Sequence, residues 1–148
     1  MAVNLYVEYR GTKDIDLVVA GPLDSGRLLE LGYRKRAGHD ASWYTPRGIQ
    51  ADFYTKDLAK IPASWILDSA VKIRVGKKEI RIICLEGLIL AKYRAGRTQD
   101  NDDLRQLFTS RGREIRWDVM SQIATELEII ELRNVAKALA LRGRSAHR

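Results

Sequence analysis

A chain of 148 residues, 45% of them hydrophobic, is long enough for one packed domain or one core with a helical appendage, and too apolar to be disordered. Its 26 basic and 19 acidic residues leave a net charge of +7, which favours polyanionic partners such as nucleotides or nucleic acid. No apolar run approaches the ~18 residues of a membrane span, the first residues lack a signal-peptide pattern, and the single cysteine excludes an internal disulfide framework and points to the cytosol.

In chain order, Ile15 to Val19 is β-branched and apolar and reads as a strand in a covered sheet. Ala20-Gly21-Pro22 breaks it, and Pro22 in a first turn predicts a short helix through Leu28, Leu29 and Leu31, closed by Gly32. Ser42-Trp43-Tyr44 and Gly48 to Tyr54 flank the turn residues Thr45-Pro46-Arg47-Gly48, which predicts a hairpin. Val71 to Val75 and Glu79 to Ile83, around Gly76-Lys77-Lys78, predict a second. The rest is helical: Leu85 to Arg94 closed by Gly96, Asp100 to Phe108 ended by Arg111-Gly112-Arg113, a third helix marked by Trp117, Met120, Ile123 and Ala124, and a fourth from Leu127 to Leu141. Strands first and helices later predict an α/β (α+β) fold, a mixed sheet with flanking helices and a helical C-terminal half. The expected organisation is an α/β core over residues 1–84, a helical region over 85–142 packed on it, and a flexible basic tail over 143–148.

The most informative stretch is Arg10-Gly-Thr-Lys-Asp14-Ile-Asp16-Leu-Val-Val19. Alternation along a strand sends Asp14 and Asp16 to one face and Ile15 and Leu17 to the other. Two carboxylates ~5 Å apart repel by about 3 kcal/mol at an effective dielectric of ~20. A hard divalent cation relieves that repulsion, and oxygen ligands suit Mg²⁺ or Mn²⁺. Asp52 is a third acid, alone among mostly apolar residues behind a hairpin turn. If its strand pairs beside that of Asp14 and Asp16, three carboxylates converge, enough to hold two metals. Asp-x-Asp at a strand start is also a common surface or turn feature, so the motif alone is weak.

Arg10-Gly-Thr-Lys-Asp14-Ile-Asp16-Leu resembles the R-x-T-x-D-h-D-h segment (h, apolar) of minimal nucleotidyltransferases of the polymerase-β superfamily and of AbiEii-type toxin nucleotidyltransferases. Asp52 in Ala-Asp-Phe matches the lone acid on their later strand. Leu85-Glu-Gly-Leu88-Ile-Leu-Ala-Lys92-Tyr-Arg-Ala95-Gly-Arg97-Thr-Gln-Asp100-Asn-Asp-Asp103-Leu104 matches their L-x-x-L-h-x-x-K-x-x-A-x-R-x-x-x-D-x-x-D-L helix. The resemblance covers about residues 1–108. It implies a metal-dependent enzyme that moves an NMP from an NTP to a hydroxyl of RNA (a tRNA end), protein or a small molecule, and a role in toxin–antitoxin or defence systems with an antitoxin partner. The family's Gly-Gly or Gly-Ser pair, whose turn cradles the triphosphate, is absent from the residues before Asp14, so the core is expected to be N-terminally incomplete or degenerate. The alternative reading is a catalytically degenerate module of the same fold that binds nucleotide, RNA or a partner protein.

Asp14, Asp16 and Asp52 are thus the expected metal ligands and catalytic residues, with Asp52 placed to take the proton of the attacking hydroxyl. Lys92 lies on an apolar helix stripe with Leu85 and Leu88; by resemblance it meets an acid of the cluster or a substrate phosphate, and otherwise it snorkels at the stripe's edge. Arg97, Asp100 and Asp103 support the site by resemblance, or else Asp100 N-caps a helix, Asp103 completes a capping box and Arg97 pairs with one of them. Thr12 and Arg10 share the face of Asp14 and Asp16 and could touch substrate. Cys84, in Ile82-Ile83-Cys84-Leu85, reads as a buried thiol; His39 and His147 lack metal-ligand spacing; and Trp43, Trp65 and Trp117 read as core.

Overall fold

The computed structural model describes Tyr6 and residues 14–145, with side chains to residue 139. The described residues form two compact units, 14–82 and, together with Tyr6, 83–145. The architecture is α+β.

The first unit is built on a four-stranded mixed sheet in the order β1-β4-β3-β2, from β1 (Asp14–Val18), β2 (Arg34–Lys35), β3 (Ser42–Tyr44) and β4 (Gln50–Tyr54). β1 runs parallel to β4, while β3 pairs antiparallel with β4 and with β2. The β3–β4 pair is the hairpin that Thr45-Pro46-Arg47-Gly48 predicts. The chain crosses from β1 to β4 through α1 (Ser25–Glu30), β2 and β3.

Alternation decides which face is covered. Trp43, Ala51 and Phe53 are buried, and Leu17, Val19, Leu23, Leu28 and Tyr33 pack against them. The opposite face carries Asp14, Asp16, Gln50, Asp52, Tyr54 and Ser42, in register across three strands. Helix α1 starts three residues after Pro22, because Asp24 caps it: the Asp24 carboxylate accepts the Arg27 N–H at 2.9 Å. A side-chain oxygen that satisfies an otherwise orphan helix N–H outweighs the proline preference for a first turn.

Sequence reasoning did not find the next segment. Strands β5 (Asp57–Leu58) and β6 (Ile61–Pro62) form a small ribbon, and α2 (Ala63–Asp68) follows with Ala63 and Ile66 buried. Its turn places Ala59 and Lys60 at φ of 51° and 60°, a left-handed conformation in which neither residue type is expected. The unit ends in a ribbon of β7 (Val71–Val75) and β8 (Lys78–Ile82), turned by Gly76 at a φ of 61°.

The second unit is helical: α3 (Leu85–Ala95), α4 (Thr98–Arg111), a 3-10 turn (Gly112–Glu114), α5 (Trp117–Met120) and α6 (Glu126–Ser145). Cys84 is buried, and its sulfur accepts the Gly87 N–H at the start of α3. Gly96 ends α3 at a φ of 64°, the left-handed cap that glycine adopts without Cβ strain. The core gathers Leu88, Ile89 and Leu90 of α3, Leu104, Leu107 and Phe108 of α4, Met120 of α5 and Leu132 of α6. Helix α5 is one turn long and stops before Ile123 and Ala124, because Thr125 and Glu128 open α6 with a reciprocal capping box.

Candidate active site

β1 and β4 hold the acids. Their parallel register sets Asp14 beside Gln50, Asp16 beside Asp52 and Val18 beside Tyr54. Register partners on neighbouring strands project to the same face, so Asp14, Asp16 and Asp52 share one side of the sheet. The same alternation buries Ala51 and Phe53 on either side of Asp52, so the position of Asp52 is fixed by the packing of its two neighbours.

The polar residues around the acids orient them. Ser42, the β3 partner of Asp52, donates its hydroxyl to Asp52 Oδ1. Gln50 Nε2 donates to both oxygens of Asp52, at 3.2 and 3.0 Å. The Tyr54 hydroxyl donates to Asp16 Oδ1 at 3.1 Å. The Asp16 carboxyl pKa is raised from its ordinary value. Partial removal from water is the main cause, the charges of Asp14 and Asp52 add to it, and the Tyr54 hydrogen bond opposes it. Asp16 therefore sits where negative charge is costly and a cation is welcome.

The donor chemistry suits a hard divalent cation: carboxylate oxygens from two adjacent strands on one face. Among the described residues, however, no group of three His, Cys, Asp or Glu side chains stands ready to hold an ion. Asp14 and Asp16 are exposed and Asp52 is half-buried; the backbone sets the acids on one face, while the carboxylates of Asp16 and Asp52 bond to separate neighbours, Tyr54 for the one and Ser42 and Gln50 for the other. Arg10 and Thr12 lie outside the described residues.

The helical unit carries a second charged cluster. Lys92 Nζ lies 2.8 Å from Asp100 Oδ1 and 2.9 Å from Asp103 Oδ2. Both acids are 1% exposed, and the lysine side chain is 18% exposed. The two carboxylates raise the lysine pKa against the desolvation that would lower it. Arg97 Nε meets Asp100 Oδ2 at 2.6 Å, the pairing its spacing allows. Asp100 is not the N-cap of α4: Arg97 holds that place, and Asp100, three residues on, accepts the Arg97 N–H at 3.3 Å. Asp103 is correspondingly not part of the capping box; it is the second anchor of Lys92. The helix begins at Thr98, directly after its N-cap Arg97, which puts Asp100 inside the first turn and Asp103 one turn further on.

Residues 6–139 match the family described as nucleotidyl transferase of unknown function, DUF2204. The chain belongs to that family. No curated protein matches it. The nucleotidyl transferase match spans both units, so the acidic sheet face and the Lys92 cluster both fall within the family's extent. Ser42, Gln50 and Tyr54 are residues of the acidic face that sequence reasoning missed. The signal for two of them was available: Gln50 and Tyr54 lie two residues either side of Asp52, on the same strand face. No helix of the described residues is long and apolar enough to cross a membrane.

Proposed function

We propose that the chain transfers a nucleoside monophosphate from an NTP to an acceptor hydroxyl, with Asp14, Asp16 and Asp52 as ligands of divalent cations, Mg²⁺ or Mn²⁺. The observation that carries this reading is the in-register apposition of Asp16 and Asp52 on the solvent face of parallel strands in a chain of a nucleotidyl transferase family. Bound Mg²⁺ would neutralise triphosphate charge and lower the pKa of the attacking hydroxyl. The protein's own part is positional. Asp14 and Asp16, exposed at the sheet edge, turn their carboxylates toward Asp52 on a backbone that does not change. Ser42 and Gln50 hold the orientation of Asp52, which accepts the proton of the acceptor hydroxyl. Tyr54 holds Asp16. Lys92, Arg97, Asp100 and Asp103 form a supporting cluster in the helical unit. We place the protein in the cytosol, and its resemblance to toxin nucleotidyltransferases suggests a toxin or defence role with an antitoxin partner.

A second reading has an observation of its own. Asp16 and Asp52 are already hydrogen-bonded to neighbours and no acidic trio is gathered among the described residues. That suits a degenerate module which binds nucleotide, RNA or a partner protein without turnover. Incubation with Mg²⁺ or Mn²⁺ and each α-labelled NTP, with total RNA and with protein acceptors, separates the two. Label transfer that is lost in Asp14→Ala and Asp16→Ala supports the enzyme. Binding of Mg·NTP with no transfer to any acceptor supports the module. Transfer that survives both substitutions overturns the proposed site.

A further inference from the structure

The β7–β8 ribbon is an unusual use of charge. Of its twelve residues, Val71 to Ile82, five are basic and one is acidic. The register sorts them by face. Val71, Ile73 and Val75 oppose Ile82, Ile80 and Lys78, while Lys72 and Arg74 oppose Arg81 and Glu79. One face is therefore mostly apolar and the other is cationic, with Lys77 and Lys78 at the turn.

Lys72 and Arg81 stand directly opposite each other. Like charges in that position destabilise a strand pair. The one acid, Glu79, reaches Lys72 at 3.2 Å. Arg74, Lys77, Lys78 and Arg81 have no ion-pair partner among the described residues. A two-stranded ribbon is marginal by itself, and a like-charge pair across it is a cost that a bound polyanion would relieve. Cations on every second strand residue recur at about 7 Å, which suits a line of separate negative charges better than one anion.

We infer that the cationic face of the β7–β8 ribbon docks the phosphate backbone of RNA. The complementarity is of charge: Arg74 and Arg81 on this face and Lys77 at its turn have no ion-pair partner among the described residues, and they stand in a chain of net charge +7 against a polyanion. The face has no aromatic residue to stack on bases and no Asn or Gln to read their edges, so the contacts go to phosphates and binding is sequence-independent. RNA rather than DNA is the occupant because it carries a hydroxyl on every nucleotide as well as at its end. That step, which makes the docked strand the acceptor, rests on the nucleotidyl transferase reading; the docking itself does not.

The test is fluorescence anisotropy with a labelled 20-nucleotide RNA across a salt series. Its arms are the wild type, a variant combining Lys72→Gln, Arg74→Gln, Lys77→Gln and Arg81→Gln, and a charge-retaining Arg74→Lys, Arg81→Lys variant. The fourfold variant should lose at least tenfold in affinity at about 0.1 M salt, and its slope of log K against log salt should fall by roughly 2 to 3, at ~0.7 per phosphate contact. It should melt no lower than the wild type, because the Lys72–Arg81 repulsion is gone. The lysine variant should bind like the wild type. Unchanged affinity and slope in the fourfold variant overturn the proposal. So does tighter binding of DNA of the same sequence, or ribbon-dependent binding to anionic lipid vesicles without RNA binding. Asp16→Ala should keep RNA affinity whatever it does to transfer, so failure of the docking face and failure of the active site give different results.

Discussion

Asp16 and Asp52 face each other across the β1–β4 pair, each held by a hydrogen bond from a different neighbour, Tyr54 for one and Ser42 for the other. In a sheet that packs Trp43, Ala51 and Phe53 beneath it, this arrangement adds nothing to the core. Two carboxylates in register repel, and the raised pKa of Asp16 records that repulsion together with its desolvation. A fold under selection for stability alone has no reason to keep the pair.

Asp16→Asn should therefore stabilise the metal-free protein while abolishing transfer. The folded state raises the Asp16 pKa, so protonation favours folding. Below the ordinary carboxylate range wild type and variant should be alike, and the advantage of asparagine should appear as pH rises through the raised value. At neutral pH the gain is on the order of 0.5 kcal/mol, about 1–2 °C in melting temperature. Thermal melts with and without 5–10 mM Mg²⁺ check this: Mg²⁺ should raise the wild-type midpoint more than that of the variant. Equal Mg²⁺ shifts in both would remove Asp16 from the ligand set.

Ser42→Ala and Gln50→Ala test the orientation of Asp52. Neither residue is an expected ligand, and both donate to its carboxylate. Loss of such a supporting donor commonly costs about 10–100-fold in metal affinity or activity. The effect should fall on the metal concentration needed for half-maximal transfer, with folding unchanged by circular dichroism. Each single variant should show it, and the double variant should show less than the product of the two, because both act on one group.

The acidic face was legible because it rests on two-residue alternation and one β-hairpin, both local in sequence. Asp14 and Asp16 flank Ile15, and Thr45-Pro46-Arg47-Gly48 sets the β3–β4 pairing that brings Ser42 to Asp52. The pairing of β1 with β4 is a long-range event that no local pattern shows, and it was expected only through a resemblance. The turn at Ala59 and Lys60 was illegible for another reason. Its left-handed backbone lies at two residues that carry no turn signal, so β5, β6 and α2 left no trace. The position of Asp100 was misjudged by one helical turn, because a capping acid and a third-position acid look alike when the helix start is unknown.

Lys92 is the counterion of two buried acids, and its removal should be costly. Lys92→Met removes the cation that Asp100 and Asp103, each 1% exposed, hold in common. Breaking a buried pair by deleting one partner costs about 3–5 kcal/mol. Combining Lys92→Met with Asp100→Asn and Asp103→Asn should recover part of that loss, since the stranded charges are then gone. Urea denaturation of the two variants gives the comparison. If the single variant unfolds like the wild type, the cluster is not a structural ion pair and its acids are available for other work.

Acid should loosen the helical unit at one identifiable place. Arg94 on α3 grips Glu128 on α6 through two nitrogens, at 2.8 and 3.0 Å, and also donates to the Ile123 carbonyl. Glu128 accepts the Thr125 N–H at the start of α6 as well. The Arg94 hydrogen bond, with help from Thr125 and against some desolvation, lowers the Glu128 carboxyl from 4.5 to about 2. A carboxylate lowered in the folded state adds stability above its unfolded value and loses it as pH falls through the folded one. The contribution is on the order of 2–3 kcal/mol at pH 6, and it should fade between pH 4.5 and about 2. Glu128→Gln lacks the charge and should lie below the wild type by that amount at pH 6. Urea melts in steps from pH 6 to pH 2.5 should show the two curves converging toward the acid end. A gap that stays constant across that range would mean that packing, and not the ion pair, ties α6 to α3.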